Sequence, residues 1–303
     1  MSITGARVAI IGSGTIGLSF AALHLKHTAS LITIYDTRPD LEDYVHRTLP
    51  TYVADHSDLE RVRLATSLQD AVETASIVQE AGPENVAFKS SLWPEVEQHC
   101  RPDALLWSST SGIPASAQSM RMKTPSRLLV VHPYNPPHLM PLLEVVPGKQ
   151  LDEDVIARTL SYWEALGRKP VVVRKECTGF VANRLAFALL REAIHIVDEG
   201  VVSVRDLDRV VETSMGPRWS VWGPFKSYHA GGGKGGLQAF FDKIGGTVQD
   251  CWSDVGQVNR GGGWEEQVFR QCEDAYGEVD VAQRDRITKK ILAVIEEEKA
   301  QLP

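Results

Sequence analysis

The sequence lacks several features that would place it in a particular class of protein. It has no apolar run long enough to cross a bilayer and no run of basic residues, and its 39 Asp and Glu outnumber its 32 Lys and Arg, which gives a net charge of −7. These absences argue against a membrane-spanning protein, and against nucleic acid or an anionic membrane surface as the main partner.

Cysteine is also scarce. The sequence has no CxxC pair and no tight Cys/His cluster of the kind that holds zinc. Its four cysteines are widely spaced: Cys100, Cys177, Cys251 and Cys272. We therefore expect four reduced, mostly buried thiols and no metal site.

We expect no address signal at either end of the sequence. The N-terminal residues MSITGARVAIIG enter a strand almost at once, which leaves no room for a charged leader, an apolar stretch and a cleavage site. The last three residues, Gln301 to Pro303, are not a peroxisomal signal. We expect a cytosolic protein whose 303 residues are enough for two domains.

The N-terminal segment predicts a βαβ unit. A short apolar run, Arg7 to Ile11, is followed by the glycine turn Gly12 to Gly17 and by helical spacing of apolar residues from Leu18 to Lys26. A second apolar run, Leu31 to Tyr35, ends at Asp36. Strand, glycine turn, helix and strand in this order indicate a parallel sheet.

The glycine turn in this context predicts a dinucleotide site. Gly12 permits the tight turn, Gly14 lets a pyrophosphate approach the backbone, and Gly17 lets the helix pack close to the strand. Asp36 is placed to bind the adenosine ribose hydroxyls and to repel a 2′-phosphate, which favours NAD over NADP, although Arg38 nearby could hold that phosphate. The predicted cofactor contacts in this segment are Gly12, Gly14, Thr15, Ile16, Gly17 and Asp36.

The rest of the chain divides into an alternating part and a helical part. Further strands are predicted at 76–79, 104–107, 128–131, 143–146 and 170–173, and helices at 179–199, 203–214, 265–276 and 280–299, with glycine-rich loops at 231–236 and 261–263. The predicted fold is an N-terminal Rossmann domain with a doubly wound parallel sheet, residues 1–175, followed by an all-α domain, residues 176–303.

A histidine and a carboxylate are associated with two apolar runs, Leu128 to Val131 and Leu142 to Val146. His132 ends the first run and Glu144 lies within the second. A histidine held by a carboxylate moves protons near neutral pH, so the pair suggests proton transfer coupled to hydride transfer. The alternative is a core histidine that ends a strand, with Glu144 on an exposed edge.

Six segments in series resemble the 3-hydroxyacyl-CoA dehydrogenase superfamily. They are GSGTIG (12–17), QEAGPEN (79–85), STSG (109–112), HPYNPP (132–137), LLEVV (142–146) and TGFVANR (178–184). The stretch from Glu192 to Phe225, which contains GPRWSVWGPF, is most similar to the lambda-crystallin/L-gulonate 3-dehydrogenase and L-carnitine 3-dehydrogenase branches.

The resemblance implies roles for individual residues. His132 matches the catalytic base and Glu144 its carboxylate partner, while Ser111 and Asn183 match polar residues that hold the substrate oxygen and the nicotinamide side together. Further matches to cofactor contacts are Glu84, Lys89 and Asn135. The segment from Thr37 to Arg63, where acyl-CoA members have a long helical excursion, is shorter here and contains two prolines, which favours a small free hydroxy acid over a CoA thioester.

The expected reaction is the reversible oxidation of a 3-hydroxy carboxylate, such as a gulonate-like acid, with NAD. Arg218 is the candidate for the substrate carboxylate, against the alternative of a surface arginine. Trp219 and Trp222 could hold a quaternary ammonium, as a carnitine site needs, or could be core or dimer-interface residues. Other possible functions are L-carnitine or acyl-CoA dehydrogenation, tailoring of a secondary metabolite, and a crystallin-like structural role. We expect a homodimer formed through the helical domain.

Overall fold

The computed structural model describes residues 5–27, 31–53 and 55–301, and the chain divides into two compact units, residues 1–184 and 185–303. Within the described residues, eight strands belong to the first unit. They are β1 (Arg7–Ile11), β2 (Leu31–Tyr35), β3 (Val62–Leu64), β4 (Ile77–Glu80), β5 (Leu105–Ser108), β6 (Leu128–Pro133), β7 (Leu142–Pro147) and β8 (Lys169–Val172).

The strands form one sheet with the order β3-β2-β1-β4-β5-β6-β7-β8. The strands from β3 to β6 are parallel, β7 runs antiparallel to β6, and β8 is parallel to β7. The chain order reverses on either side of β1, so the crevice between β1 and β4 is the place where an open α/β sheet binds ligands.

Helices cover both faces of the sheet. In the first unit they are α1 (Thr15–His27), α2 (Leu41–Thr48), α3 (Leu68–Val72), α4 (Val86–His99), α5 (Ala115–Gln118) and α6 (Glu153–Ala165). Alternate residues of β1 belong to different cores, since Val8 and Ile10 pack on one face and Ala9 and Ile11 on the other. This alternation confirms the predicted doubly wound sheet.

The second unit is helical, as the sequence predicts. Its helices are α7 (Ala182–Asp198), α8 (Val204–Thr213), α9 (Met215–Val221), α10 (Pro224–Gly231), α11 (Gly236–Asp254), α12 (Glu265–Tyr276) and α13 (Val281–Ala300), of which α7 begins in the first unit. Gly200 has φ +70° after α7, and the Ser203 side chain accepts a hydrogen bond from the Asp206 N–H at the start of α8. A glycine with positive φ after one helix and a serine that accepts from the backbone at the start of the next are common helix ends.

Three details of the sequence interpretation are wrong. The helix predicted from Gly179 begins three residues later, because Gly179 and Phe180 have positive φ angles that a right-handed helix does not allow. The glycine segment at 231–236 is not a plain loop, since its first residue ends α10 and its last begins α11. Of the four free cysteines only Cys100 is buried, and Cys251 is exposed on α11.

Candidate active site

The glycine turn after β1 lies beside a cavity of about 490 Å³ at the carboxyl ends of β1 and β2. A Cβ atom added at Gly12 would lie 2.7 Å from the Ala81 carbonyl oxygen, and one at Gly17 would lie 1.9 Å from the Gly12 carbonyl oxygen. A Cβ atom at Gly14 would have no neighbour within 4 Å. Gly12 and Gly17 are therefore needed because the backbone around them leaves no room for a side chain. Gly14 borders open space where a pyrophosphate fits. Thr15 and Ile16 form the first turn of α1, where free N–H groups favour an anion.

Asp36 lines the same cavity and is held in place by hydrogen bonds. Its Oδ2 accepts bonds from the Ser13 N–H at 2.6 Å and the Ser13 hydroxyl at 2.7 Å. Burial alone would raise the pKa of Asp36, but these bonds and those from the backbone at Arg38 and Thr37 outweigh it and lower the pKa below its ordinary value. Asp36 is therefore ionised near neutral pH, which suits ribose hydroxyls and repels a 2′-phosphate.

Arg38, the residue that could favour NADP, has other partners. Its guanidinium donates to Asp40 at 2.8 and 3.1 Å and lies 3.5 Å from the centroid of the Tyr44 ring. The planar group is thus paired on its edge and stacked on its face. This arrangement agrees with a cofactor that lacks the 2′-phosphate.

His132 and Glu144 are brought together by the antiparallel register of β6 and β7. The two residues lie directly opposite each other, and His132 Nδ1 is 2.8 Å from Glu144 Oε2. Both side chains are buried. The other carboxylate oxygen, Oε1, accepts hydrogen bonds from the backbone N–H groups of Val181 and Ala182 at 2.8 and 3.0 Å.

The environment of Glu144 decides which nitrogen of His132 carries the proton. Burial would raise the pKa of Glu144, but the bonds from His132, Ala182 and Val181 lower it below its ordinary value of 4.5. An ionised carboxylate only accepts hydrogen bonds, so Nδ1 of His132 must be the donor. In the neutral imidazole Nε2 is then unprotonated and able to take a proton.

The Glu84 carboxylate binds the turn that contains Ser111. Its Oε1 accepts hydrogen bonds from the Thr110 hydroxyl at 2.5 Å and from the N–H groups of Ser111 and Gly112 at 3.1 Å each. The Ser111 side chain is exposed at this turn, just after β5. The carboxylate thus fixes the backbone that presents Ser111.

Lys89, matched to a cofactor contact, is almost completely buried. Its Nζ donates to both oxygens of Glu80 at 2.6 and 2.8 Å and lies 3.9 Å from Glu84 Oε2. Glu80 also accepts from the Ser108 hydroxyl and the Gly82 N–H, at 2.7 Å each. In this structure the Lys89 ammonium is paired with Glu80 at the end of β4 and is not exposed at the surface.

Asn135 and Asn183 lie in segments next to the His132–Glu144 pair. Asn135 is exposed in the loop that follows β6, three residues after His132. Asn183 is half-buried in the first turn of α7, next to the two backbone donors that bind Glu144. The structure therefore brings His132 and Glu144 into contact, places Asn183 directly after the backbone donors to Glu144, and places Ser111 after β5, the neighbour of β6.

Arg218 lies in the second unit, where it borders a cavity of about 580 Å³. Trp222 and Val221 line the same cavity, and Lys226 Nζ lies 5.0 Å from the centroid of the Trp222 ring. Arg218 and Trp219 are both exposed. An exposed guanidinium in a cavity that an aromatic side chain also lines can bind a carboxylate together with an apolar or cationic group.

Sequence reasoning missed several residues that hold the site together. Glu80, Ser13 and Phe180 have no assigned function in the sequence interpretation, although each lies within or beside a recognised motif. The motif gave no means to distinguish the buried Glu80 from Glu84, because both are acidic and only four residues apart. The burial and hydrogen bonds of the folded chain separate them.

Comparison with known families agrees with this geometry. The family model described as 3-hydroxyacyl-CoA dehydrogenase, NAD binding domain, matches residues 7–177, and the one described as 3-hydroxyacyl-CoA dehydrogenase, C-terminal domain, matches residues 179–269. The chain therefore belongs to the 3-hydroxyacyl-CoA dehydrogenase family. Its first domain is the family's NAD-binding domain, so the predictions of a Rossmann fold, an NAD cofactor and a dehydrogenase acting on a secondary hydroxyl group are confirmed.

Several individual proteins are similar to this chain over nearly its whole length. The L-carnitine dehydrogenase of Streptomyces coelicolor is 33% identical over 94% of this chain and 93% of its own length, and that of Pseudomonas aeruginosa is 32% identical over 97% and 95%. Among solved structures, 5-formyl-3-hydroxy-2-methylpyridine 4-carboxylic acid 5-dehydrogenase, an NAD+-dependent dismutase, is similar with a TM-score of 0.75 and 25% identity over 96% of this chain and 99% of that chain. In the part of the chain that the structure describes, no helix is long and apolar enough to cross a membrane.

Proposed function

We propose that the protein catalyses the reversible NAD-dependent oxidation of a small 3-hydroxy carboxylate to its 3-oxo acid. The observation that carries the proposal is the His132–Glu144 pair, in which an ionised, buried carboxylate leaves Nε2 of the imidazole free to accept a proton. When bound, NAD supplies the hydride acceptor. The substrate hydroxyl gives its proton to Nε2, and Glu144 stabilises the imidazolium that forms.

Other residues of the proposed site hold the reacting groups. Ser111 and Asn183 position the carbinol oxygen and, in the reverse direction, polarise the ketone. Glu84 acts on Ser111 through the backbone turn that it binds. Asp36 and the glycine turn hold the adenosine and pyrophosphate parts of NAD.

We assign Arg218 to the substrate carboxylate. Its planar fork matches a carboxylate in bidentate geometry, and it borders a cavity large enough for a small acid. Within the described part of residues 37–63, the longest helix is α2 with eight residues, which offers little surface for a CoA moiety. A free acid is therefore the preferred substrate class.

L-carnitine is the candidate within this class that the relatives favour over a gulonate-like acid. Eight similar proteins bear the name L-carnitine dehydrogenase. The Lys226 ammonium, which lies 5.0 Å from the centroid of the Trp222 ring, supports a cation-binding role for this aromatic face. A trimethylammonium group would take the place of Lys226 on this face.

A substrate panel tests the proposed function. L-carnitine, gulonate and 3-hydroxybutyrate are assayed with NAD and with NADP, and acetoacetyl-CoA, a 3-oxo compound, is assayed with NADH and with NADPH. We expect turnover with a free acid and NAD. Efficient turnover of the CoA thioester alone would contradict the free-acid assignment, and turnover of gulonate but not of carnitine would remove the carnitine candidate.

Replacement of His132 by Gln tests the proton acceptor. We expect kcat to fall about a hundredfold or more, the usual effect of losing a general base, while NADH binding measured by fluorescence titration remains nearly unchanged. Full turnover by the variant would remove His132 from the mechanism.

We also propose that the chain forms a homodimer through its second unit. Among described residues 185–301, the buried hydrophobic side chains are limited to Val197, Val204 and Val268, while many large apolar side chains on α7, α9, α10, α11 and α13 are exposed. A second copy of the chain would cover this apolar surface. A cytosolic location stays a prediction.

A further inference from the structure

Phe180 has an unusual backbone conformation next to the proposed catalytic pair. Its φ angle is +51°, and within residues 5–27, 31–53 and 55–301 it is the one residue other than glycine in the left-handed region. The side chain is fully buried. A bulky residue adopts this conformation at a cost in free energy, so the surrounding structure must hold it there.

The conformation places two backbone donors on Glu144. Gly179 has φ +72° and Phe180 follows with φ +51°, and the next two N–H groups, of Val181 and Ala182, both point to Glu144 Oε1 at 2.8 and 3.0 Å. Successive N–H groups that converge on one acceptor form a small binding site for an anion. Without the left-handed turn, the chain would enter α7 in a different direction and these donors would leave Oε1.

The Phe180 ring contacts the other member of the pair. Its centroid lies 5.3 Å from that of the His132 imidazole, with an angle of 49° between the ring planes. Val130 and Val146, each two residues from a member of the pair along β6 or β7, pack in the same cluster as Phe180. One residue thus supplies both the backbone turn at the carboxylate and an apolar contact at the imidazole.

We propose that Phe180 is a positioning residue for the His132–Glu144 pair. Its left-handed backbone aims two N–H groups at Glu144, and its ring limits the rotation of His132. The inference rests on the proposed function, because it assigns a role in proton transfer only if His132 is the proton acceptor.

The proposal has a consequence for the pH dependence of the reaction. The two N–H groups stabilise the negative charge of Glu144, so their loss increases the affinity of the His132–Glu144 pair for a proton. The imidazole must be neutral to accept the substrate proton. The acid limb of the kcat/KM profile should therefore move to higher pH when the left-handed turn is disrupted.

Two apolar variants distinguish the effect of the left-handed backbone from the effect of losing the aromatic ring. Phe180→Leu keeps a flexible apolar side chain, whereas Phe180→Val places a β-branched residue where the left-handed region is strongly disfavoured. We expect Phe180→Val to lower kcat about tenfold or more, since small displacements of catalytic groups have effects of this size, with KM for NAD unchanged. Phe180→Leu, which loses the ring contact with His132 but strains the backbone less, should lower kcat by less than Phe180→Val does, and only the valine variant should shift the acid limb.

The His132→Gln background distinguishes failure of this inference from failure of the proposed function. If the groups act as one unit, adding Phe180→Val to His132→Gln should cause no further loss of kcat. Full activity of His132→Gln alone would contradict the proposed function. An impaired His132→Gln together with a wild-type pH profile for Phe180→Val would overturn the role of Phe180.

A second variant covers the case in which Phe180→Val does not fold. Gly179→Ala adds one Cβ atom whose nearest neighbour is the Asn183 Cβ at 3.5 Å, an ordinary contact, so the substitution disfavours only the left-handed φ angle. The same shift of the acid limb is expected. An unchanged profile in a folded Gly179→Ala protein would equally contradict the proposal.

Discussion

Three carboxylates near the site, two of them buried and one exposed, have different functions because their donors differ. Glu80 is bound by the Lys89 ammonium, Glu84 by the turn at Ser111, and Glu144 by an imidazole and two backbone N–H groups. Only the last faces a group that can exchange a proton near neutral pH. The chemistry of each carboxylate therefore follows from the donors that the fold places around it.

Arg218 is the residue whose proposed role depends most on geometry, and replacement by lysine tests it. Lysine keeps the positive charge but loses the planar pair of donors. We expect Arg218→Lys to raise KM for the acid substrate about tenfold, the effect of losing one charge-assisted hydrogen bond, and to change KM for the corresponding amide much less. Steady-state kinetics with both substrates measure the difference.

Lys243 provides the matched control, because it is an exposed cation on α11 that does not line this cavity. Lys243→Gln should leave KM for the acid near its wild-type value. Equal effects of Arg218→Lys on the acid and the amide would show that Arg218 does not bind the carboxylate.

At the scale of elements, the turn between β1 and α1 contains one glycine that is needed for packing, Gly17, and one that is proposed to bind the cofactor, Gly14. An alanine Cβ at position 17 would collide with the Gly12 carbonyl oxygen at 1.9 Å, whereas one at position 14 meets nothing within 4 Å. We expect Gly17→Ala to lower the free energy of unfolding by about 2 kcal/mol and to weaken NAD binding, and Gly14→Ala to keep the wild-type stability but to bind NAD about tenfold more weakly.

Thermal unfolding without cofactor and calorimetric titration with NAD measure the two effects. Gly14→Ala is the control for the stability effect of Gly17→Ala, because both substitutions add the same methyl group to the same turn. Wild-type NAD affinity in Gly14→Ala would mean that the pyrophosphate does not pass over this position.

The elements that could be predicted from the sequence are those with strong local patterns. The apolar runs of β1 and β2 and the glycine turn between them predicted the strands with the bounds that the structure shows. Helix α12 was predicted in full. The three-residue strand β3 was missed because it is too short for a periodic pattern, and it belongs to the sheet only through its pairing with β2.

The pairing of His132 with Glu144 could be predicted from the sequence, but the left-handed turn that binds Glu144 could not. Two strands ending near each other could be inferred from the apolar runs, and their register places the two side chains opposite each other. The left-handed turn at Gly179 and Phe180 depends on long-range contacts with Glu144 and His132. A sequence pattern of phenylalanine before a helical segment gives no sign of this conformation.

At the scale of the whole molecule, the second unit has too few buried side chains for its size. A domain of this length normally buries about two thirds of the surface of its unfolded chain, yet three valines are the hydrophobic side chains that are buried in described residues 185–301. On α7, Phe187 and Leu190 are exposed and lie three residues apart on one face of the helix. This apolar surface is the proposed contact with a second copy.

We expect the protein to sediment at twice the 33.4 kDa of the chain, with dissociation only on strong dilution. The double replacement of Phe187 and Leu190 by lysine should give a monomer, because it would bury two unpaired charges at the contact. Replacement of Val279 by lysine, at an exposed position between α12 and α13, is the matched control and should stay dimeric. A wild-type chain that sediments as a monomer at micromolar concentration would contradict the dimer, and a dimeric double variant would place the contact on another face of the second unit.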